Sequence, residues 1–279
     1  MNPLKNIAVN ILNAGRNLVV KPEDIIAPEN ITIAITTFEA RFDRYFVPLL
    51  KRLREYTDNE ILVAINGENN RPFGATYRSN MLKCLADYDN VFPIFFPQFR
   101  GLSKLWNTLA IHATHDHILM LNDDIMIDSP NFIKDISSTV SRNKGQSFLI
   151  NRSWSHYLIN RNELDTLGYF DERLLGIGEE DGDMTWRYIK QYGEPIPTFK
   201  IKGFENFAEE TVRTYKPTNI QTHSGTKYSL FNRKFIHEEK YSPVEGGIQG
   251  MFDTAVIMND PGERQYPHER FFRLRRGEL

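Results

Sequence analysis

Between Ile31 and Ile127 short apolar runs alternate with amphipathic stripes, and this alternation restricts the chain more than any other feature of its 279 residues. Ile31-Thr32-Ile33-Ala34-Ile35-Thr36-Thr37 is β-branched and apolar and reads as a first buried strand. From Arg44 to Tyr56, the residues Tyr45, Phe46, Leu49, Leu50 and Leu53 recur at helical spacing. Ile61 to Ile65 reads as a second strand, stopped by the turn signal Asn66-Gly67. Thr76 to Tyr88 suits a helix, Val91 to Phe96 a third strand, Leu102 to Ala113 a helix and Ile118 to Ile127 a fourth strand. Such an order implies an α/β fold, a mostly parallel sheet with right-handed crossovers and helices on its faces. After Ile127 the pattern weakens, with strand material from Ser147 to Ile159 around Asn151-Arg152-Ser153.

Composition excludes several classes. Hydrophobic residues at 41% and charged residues at 25% are ordinary for a globular chain, and the net charge of -2 offers no global attraction to nucleic acid. One cysteine, Cys84, rules out an internal disulfide framework and agrees with a reducing, cytoplasmic setting. No apolar run approaches the length that spans a bilayer. Residues 1–30 read as an amphipathic lead-in; Asn10, Asn13, Gly15, Arg16 and Asn17 interrupt the apolar stretch that a signal peptide needs.

Two acidic stretches carry the chemistry. Within the fourth strand, Asn122-Asp123-Asp124 falls where the strand leaves its sheet, the edge at which open α/β sheets bind ligands. Adjacent carboxylates there repel and lose hydration unless a cation or hydrogen-bond donors lie between them. A turn with a capping Asp124 is the alternative. The second stretch is Gly168-Tyr169-Phe170-Asp171-Glu172-Arg173, followed by Gly178-Glu179-Glu180-Asp181-Gly182-Asp183-Met184-Thr185-Trp186-Arg187. Acids at a helix start suit the macrodipole. So dense a cluster should also raise the proton affinity of one member, which makes it a better base at neutral pH.

In this order the motifs resemble glycosyltransferase family 2 and related enzymes of the GT-A nucleotide-sugar fold, from about Ile31 to about Lys190 and more weakly to His223. Thr36-Thr37-Phe38-Glu39 with Arg41 looks like the nucleotide-contacting loop after that family's opening strand. Gly101-Leu102-Ser103-Lys104-Leu105-Trp106-Asn107 resembles the segment before its metal-site strand. Asn122-Asp123-Asp124 matches the Asp-x-Asp position, with asparagine in place of the first acid. Gly168 to Arg187 matches the Gly-x-Phe-Asp-Glu segment and the Glu-Asp pair. The resemblance implies a GT-A, Rossmann-like catalytic domain over 31–225 and a C-terminal extension over 226–279. It also implies transfer of a sugar from a nucleoside-diphosphate sugar, by default a UDP-sugar, to a glycan or lipid-linked acceptor with inversion, as in polysaccharide assembly.

The resemblance also assigns roles. Asp124 and His223 become ligands of Mn2+ or Mg2+, which stabilises charge on a departing diphosphate. Asp181, with Glu180 next in line, becomes the base, and Asp183 and Arg187 orient it. Thr36, Thr37, Phe38, Glu39, Arg41, Asn66, Lys104, Asn107, Asn122, Asp123 and Trp154 become donor or acceptor contacts, Asn122 and Asp123 toward ribose or metal-bound water. His112, His115 and His117 lack a thiolate or a clear fourth ligand, so they read as solvated residues and not as a zinc site. Lys227 to Phe235 mixes basic and aromatic residues suited to phosphates. The basic tail His268 to Arg276 suits core cover, a partner such as a second copy, or an anionic membrane surface. Two other readings stay open: a nucleotidyltransferase, although Thr36 to Glu39 lacks the glycines of a triphosphate loop, and a non-catalytic nucleotide- or carbohydrate-binding protein.

Overall fold

A computed structural model describes residues 27–67, 73–174, 176–206, 232–234 and 236. Its strands are β1 (Ile31–Phe38), β2 (Ile61–Asn66), β3 (Val91–Phe96), β4 (His117–Asn122), β5 (Ile125–Ile127), β6 (Phe148–Ile150), β7 (Ser153–Asn160), β8 (Thr198–Phe199) and β9 (Phe204–Asn206). Its α-helices are α1 (Val47–Tyr56), α2 (Ala75–Leu85), α3 (Leu102–His112), α4 (Phe132–Arg142), α5 (Arg161–Leu167) and α6 (Glu180–Tyr192). Among the described residues the main sheet has seven strands in the order β3-β2-β1-β4-β7-β6-β8. Within it β7 alone runs against the others, through antiparallel pairing with β4 and β6. The expected mostly parallel α/β architecture is therefore the one observed.

Alternation along the strands divides the core in two. Ile33, Ile35, Val63, Leu119, Leu121 and Leu158 point into one layer, while Ala34, Leu62, Ala64, Ile118, Met120 and Tyr157 point into the other. Such continuous apolar strands belong to a sheet covered on both faces. Helix α1 covers the first layer with Leu49, Leu50 and Leu53, each contributing about 1.5–3 kcal/mol by burial. Helices α3 and α6 cover the second with Trp106, Leu109, Met184 and Tyr188.

Three local details depart from the sequence reading. The helix expected from Arg44 begins as a π-turn, Phe42–Phe46, and becomes α-helical only at Val47. Pro48 has no N–H to donate back to Arg44, so the tighter ladder cannot extend upstream. The strand expected over Ile118 to Ile127 is two strands: Asp123 and Asp124 form a turn, and β5 leaves the main sheet to pair with β9. The polar centre Asn151-Arg152 is a hairpin turn with φ of 52° and 65°, and it sends β7 back beside β4. Two successive positive φ values match the twist of the flanking strands.

No helix among the described residues is long and apolar enough to cross a membrane. The proposed lead-in and C-terminal extension lie almost wholly outside the described residues.

Candidate functional site

The parallel β1–β4 register sets Thr36 opposite Asn122, so Thr37 and Asp123 meet where the two strands end. Thr37 Oγ1 donates to Asp123 Oδ2 at 2.8 Å. Arg41, on the 3-10 turn after β1, reaches both acids: Nε lies 2.6 Å from Asp123 Oδ1 and Nη2 lies 2.7 Å from Asp124 Oδ2. Its guanidinium sits against the rings of Tyr45 and Phe38, 4.9 and 5.6 Å from their centroids. Burial disfavours charge on Arg41, but the two carboxylates overcome it and raise its pKa. The cation between the adjacent acids is thus a side chain of this protein.

The two acids end up different. Asp123 is 3% exposed with both oxygens bonded, and burial pushes it up to about 6 despite Arg41. It braces the end of β1 against the turn. Asp124 is 7% exposed; one oxygen faces Arg41, and Oδ1 is buried with no hydrogen-bond partner among the described residues. An orphaned buried carboxylate oxygen is what a hard cation would take, so Asp124 fits a metal as one ligand. Among the described residues no group of three His, Cys, Asp or Glu side chains is arranged for a metal. His223 lies outside the described residues.

Sequence reasoning missed His156, the β7 residue that pairs with Leu121. It is 3% exposed, and neither ring nitrogen has a hydrogen-bond partner among the described residues. Burial pushes it down to about 4, opposed by the nearby charge of Asp124. Its ring stacks on Phe204, centroids 5.7 Å apart and planes 19° apart. The available signal was strand alternation, which sets His156 on the same face as Leu158, where a polar group needs a partner.

The second station forms where α6 starts. Glu179 is left-handed at φ 75°, an unusual conformation for a residue with a side chain, and follows Gly178 at φ 120°. Glu180 is 4% exposed and accepts from the Gly178 amide at 2.6 Å. Burial, reinforced by Asp181, pushes it up to about 8, so at pH 7 it holds a proton. Asp181 is half-buried and accepts from the Gly182 amide at 2.8 Å. Asp183 and Arg187 pair at 2.7 Å in the core, and Arg187 also donates to the Leu167 carbonyl. Asn232 donates to the Gly178 carbonyl at 2.7 Å, and Arg233 pairs with Glu179 at 2.6 Å. Arg233 therefore meets a carboxylate, whereas the sequence suggested a phosphate.

Several other expected contacts have partners within the protein. Asn107 is fully buried, donating to Phe170 and Glu172 and accepting from the Phe170 amide; Lys104 pairs with Glu172 at 3.2 Å. This clamp is tight, since a Cβ on Gly101 would lie 2.9 Å from the Leu174 carbonyl. Asn66 exchanges two hydrogen bonds with the Arg100 backbone. Trp154 packs edge-on against Tyr157 with centroids 4.8 Å apart. Phe38, Glu39 and Asn122 are half-buried at the same edge as Thr36. His115 and His117, expected to be solvated, bond to Thr32 and the Gly145 carbonyl at the far edge of the sheet.

The charge of Asp124 acts on His156 on one face of β7, and those of Glu180 and Asp181 act on Tyr157 on the other face. A cleft of about 200 Å³ between α1 and β5 borders Asp123 but neither Asp124 nor Asp181, so it lies beside the first station.

No family model matches the sequence, and no curated protein matches it. Solved structures do. The chain is similar to S. aureus TarS at 15% identity and TM-score 0.50, over 62% of this chain and 36% of TarS. It is also similar to S. aureus TarS 1–349 in complex with UDP, at 14% identity and TM-score 0.47, over 62% of this chain and 59% of that one. A third is the mannosyltransferase PcManGT from Pyrobaculum calidifontis in complex with GDP-Man and Mn2+, at 13% identity and TM-score 0.45, over 70% of this chain and 65% of that one. This chain spans about a third of TarS, and the likeness is one of fold: a mixed α/β domain whose mostly parallel seven-stranded sheet is flanked by helices.

Proposed function

We propose that this chain transfers a sugar from a nucleoside-diphosphate sugar to an acceptor hydroxyl, with Asp124 on the donor side and Asp181 as the base. The observation that carries this reading is the buried Oδ1 of Asp124, without a hydrogen-bond partner among the described residues and beside the Arg41 guanidinium at the ligand-binding end of the sheet. In a single displacement the leaving group departs from one face of the anomeric carbon while the base serves the other. Inversion follows from these roles and from the motif order that the chain shares with glycosyltransferase family 2.

The residues divide the work by environment. Asp181, half-buried, takes the proton from the incoming hydroxyl, while Glu180 stays protonated beneath it and keeps a second negative charge out of the site. Arg41 holds Asp124 in place and supplies a fixed positive charge toward the phosphates. Asp124 Oδ1 would hold a divalent cation, whose chemistry is to neutralise charge on the departing diphosphate. Thr37 and Asp123 keep Arg41 oriented, and Asn107 with Lys104 fixes the Phe170 to Arg173 loop.

Thermal shift with UDP, GDP and thymidine diphosphate, each with and without Mn2+ or Mg2+, tests the reading, because a ligand of the native state raises its apparent stability. One nucleotide should stabilise the protein in a metal-dependent way, and Asp124→Ala should remove the response. Release of nucleoside diphosphate from the matching donor should then require Asp181. No response to any nucleotide sinks the proposal; binding without turnover across a broad acceptor panel favours a non-catalytic binding protein.

A further inference from the structure

We infer that His156 is a second protein ligand of the cation proposed at Asp124, and that this pair selects manganese over magnesium. The inference rests on the donor-side reading above and adds a residue that no sequence motif marks.

Three buried polar atoms in this neighbourhood lack a partner among the described residues: Asp124 Oδ1, His156 Nδ1 and His156 Nε2. Buried polar groups are bonded in the great majority of cases, and a neutral imidazole needs both an acceptor and a donor to be satisfied. His156 is opposite Leu121, close to the turn that carries Asp124, and lies within its electrostatic reach. The turn, β5 and β9 then fold back on the histidine. Ile127 pairs with Phe204, and the Phe204 ring lies flat on the imidazole. Stacking fixes the plane of the ring through its face and leaves both nitrogens at its rim without a partner among the described residues, one open to a cation and the other to a water.

The donor set decides the cation. One carboxylate oxygen with one imidazole nitrogen suits manganese and its neighbours, whereas magnesium prefers an all-oxygen shell and retains its waters. Arg41 occupies the other oxygen of Asp124, so the carboxylate offers a single oxygen. Two protein ligands leave most coordination positions to water and phosphate oxygens, which makes the cation part of the donor complex.

The test uses the full chain with Mn2+ alone and with Mn2+ plus UDP or GDP. Uptake is read from loss of the free-ion paramagnetic resonance spectrum, and ligation from nitrogen modulation of the electron spin echo. The wild-type protein and His223→Gln should show imidazole modulation that changes on ¹⁵N-histidine labelling. His156→Gln should lose it, bind Mn2+ about 10–100-fold more weakly and prefer Mn2+ over Mg2+ less. The wild-type measurement needs no variant to fold. Mn2+ binding that depends on Asp124 but shows no histidine nitrogen, or modulation that survives in His156→Gln, overturns the role of His156 and leaves the donor-side reading intact; a water between the two side chains gives the first of these. No Mn2+ uptake under either condition overturns both.

Discussion

The two acidic stations have the same raw material and opposite electrostatics. At the end of β4 a buried guanidinium lies between Asp123 and Asp124, and a threonine hydroxyl completes the shell of Asp123. At the start of α6, the Glu180 carboxyl accepts from the Gly178 amide, and burial beside Asp181 makes it hold a proton. Arg41 holds one oxygen of Asp124 and leaves the other to an electrophilic partner. The proton on Glu180 leaves the proposed role of base to its neighbour Asp181. Adjacent acids thus acquire different chemistry from what is packed around them, and not from their own identity.

Several measurements would break or sharpen this contrast. The largest effect is expected for Asp181→Asn, which should lower turnover by about 10²–10⁴-fold while the donor binds with unchanged affinity. Calorimetry with the nucleotide beside steady-state kinetics checks this, and a parallel loss of donor affinity would merge the two stations into one. Arg41→Met should destabilise the fold by about 3–5 kcal/mol in urea, because it strands two buried carboxylates. Adding Asp123→Asn should recover part of that loss, whereas additive losses would mean that Arg41 is not what neutralises the pair.

The protonated station has a pH signature of opposite sense. Glu180 holds its proton up to about 8 in the folded protein, while the unfolded chain releases it near the ordinary 4.5. Between these values the unfolded state binds fewer protons, so this contribution to stability is complete below about 4.5, declines as pH rises and is gone above about 8. Glu180→Gln should flatten the fall in urea midpoint across that window, and superimposable profiles would refute the assignment. Asn107→Ala should cost about 1–3 kcal/mol by leaving the Phe170 amide unsatisfied. Smallest of all, Arg233→Ala should change stability by about 0–1 kcal/mol, since that arginine is half exposed where it meets Glu179.

Much of the architecture could be read without coordinates. The β-branched run of β1 and the stripe of α1 carry strong periodic signals, and the acids of the second stretch do stand at the start of a helix, α6. The acids at the end of β4 were visible as an anomaly in an apolar strand. What the pattern offered only as an alternative was the turn at Asp123-Asp124, because β5 is stabilised by pairing with β9, about eighty residues away. His156 was equally invisible, since a single histidine in a mixed strand acquires meaning only once its face and its neighbours are known. Asn107 and Lys104 were grouped with the site for their place in a motif, and their partners prove to be the loop that precedes α6.

Local periodicity and short motifs determined by themselves that this chain forms a layered α/β sheet with acids at its ligand-binding edge, because burial of alternating apolar residues is written residue by residue along each strand. Only the tertiary structure decided which acid is braced, which is left with a bare oxygen and which is protonated. Those outcomes depend on Arg41, Thr37, Phe204 and Gly178 arriving from distant or sharply turned segments. Electrostatic character in a buried site is set by distance and desolvation, and neither is a property of sequence order.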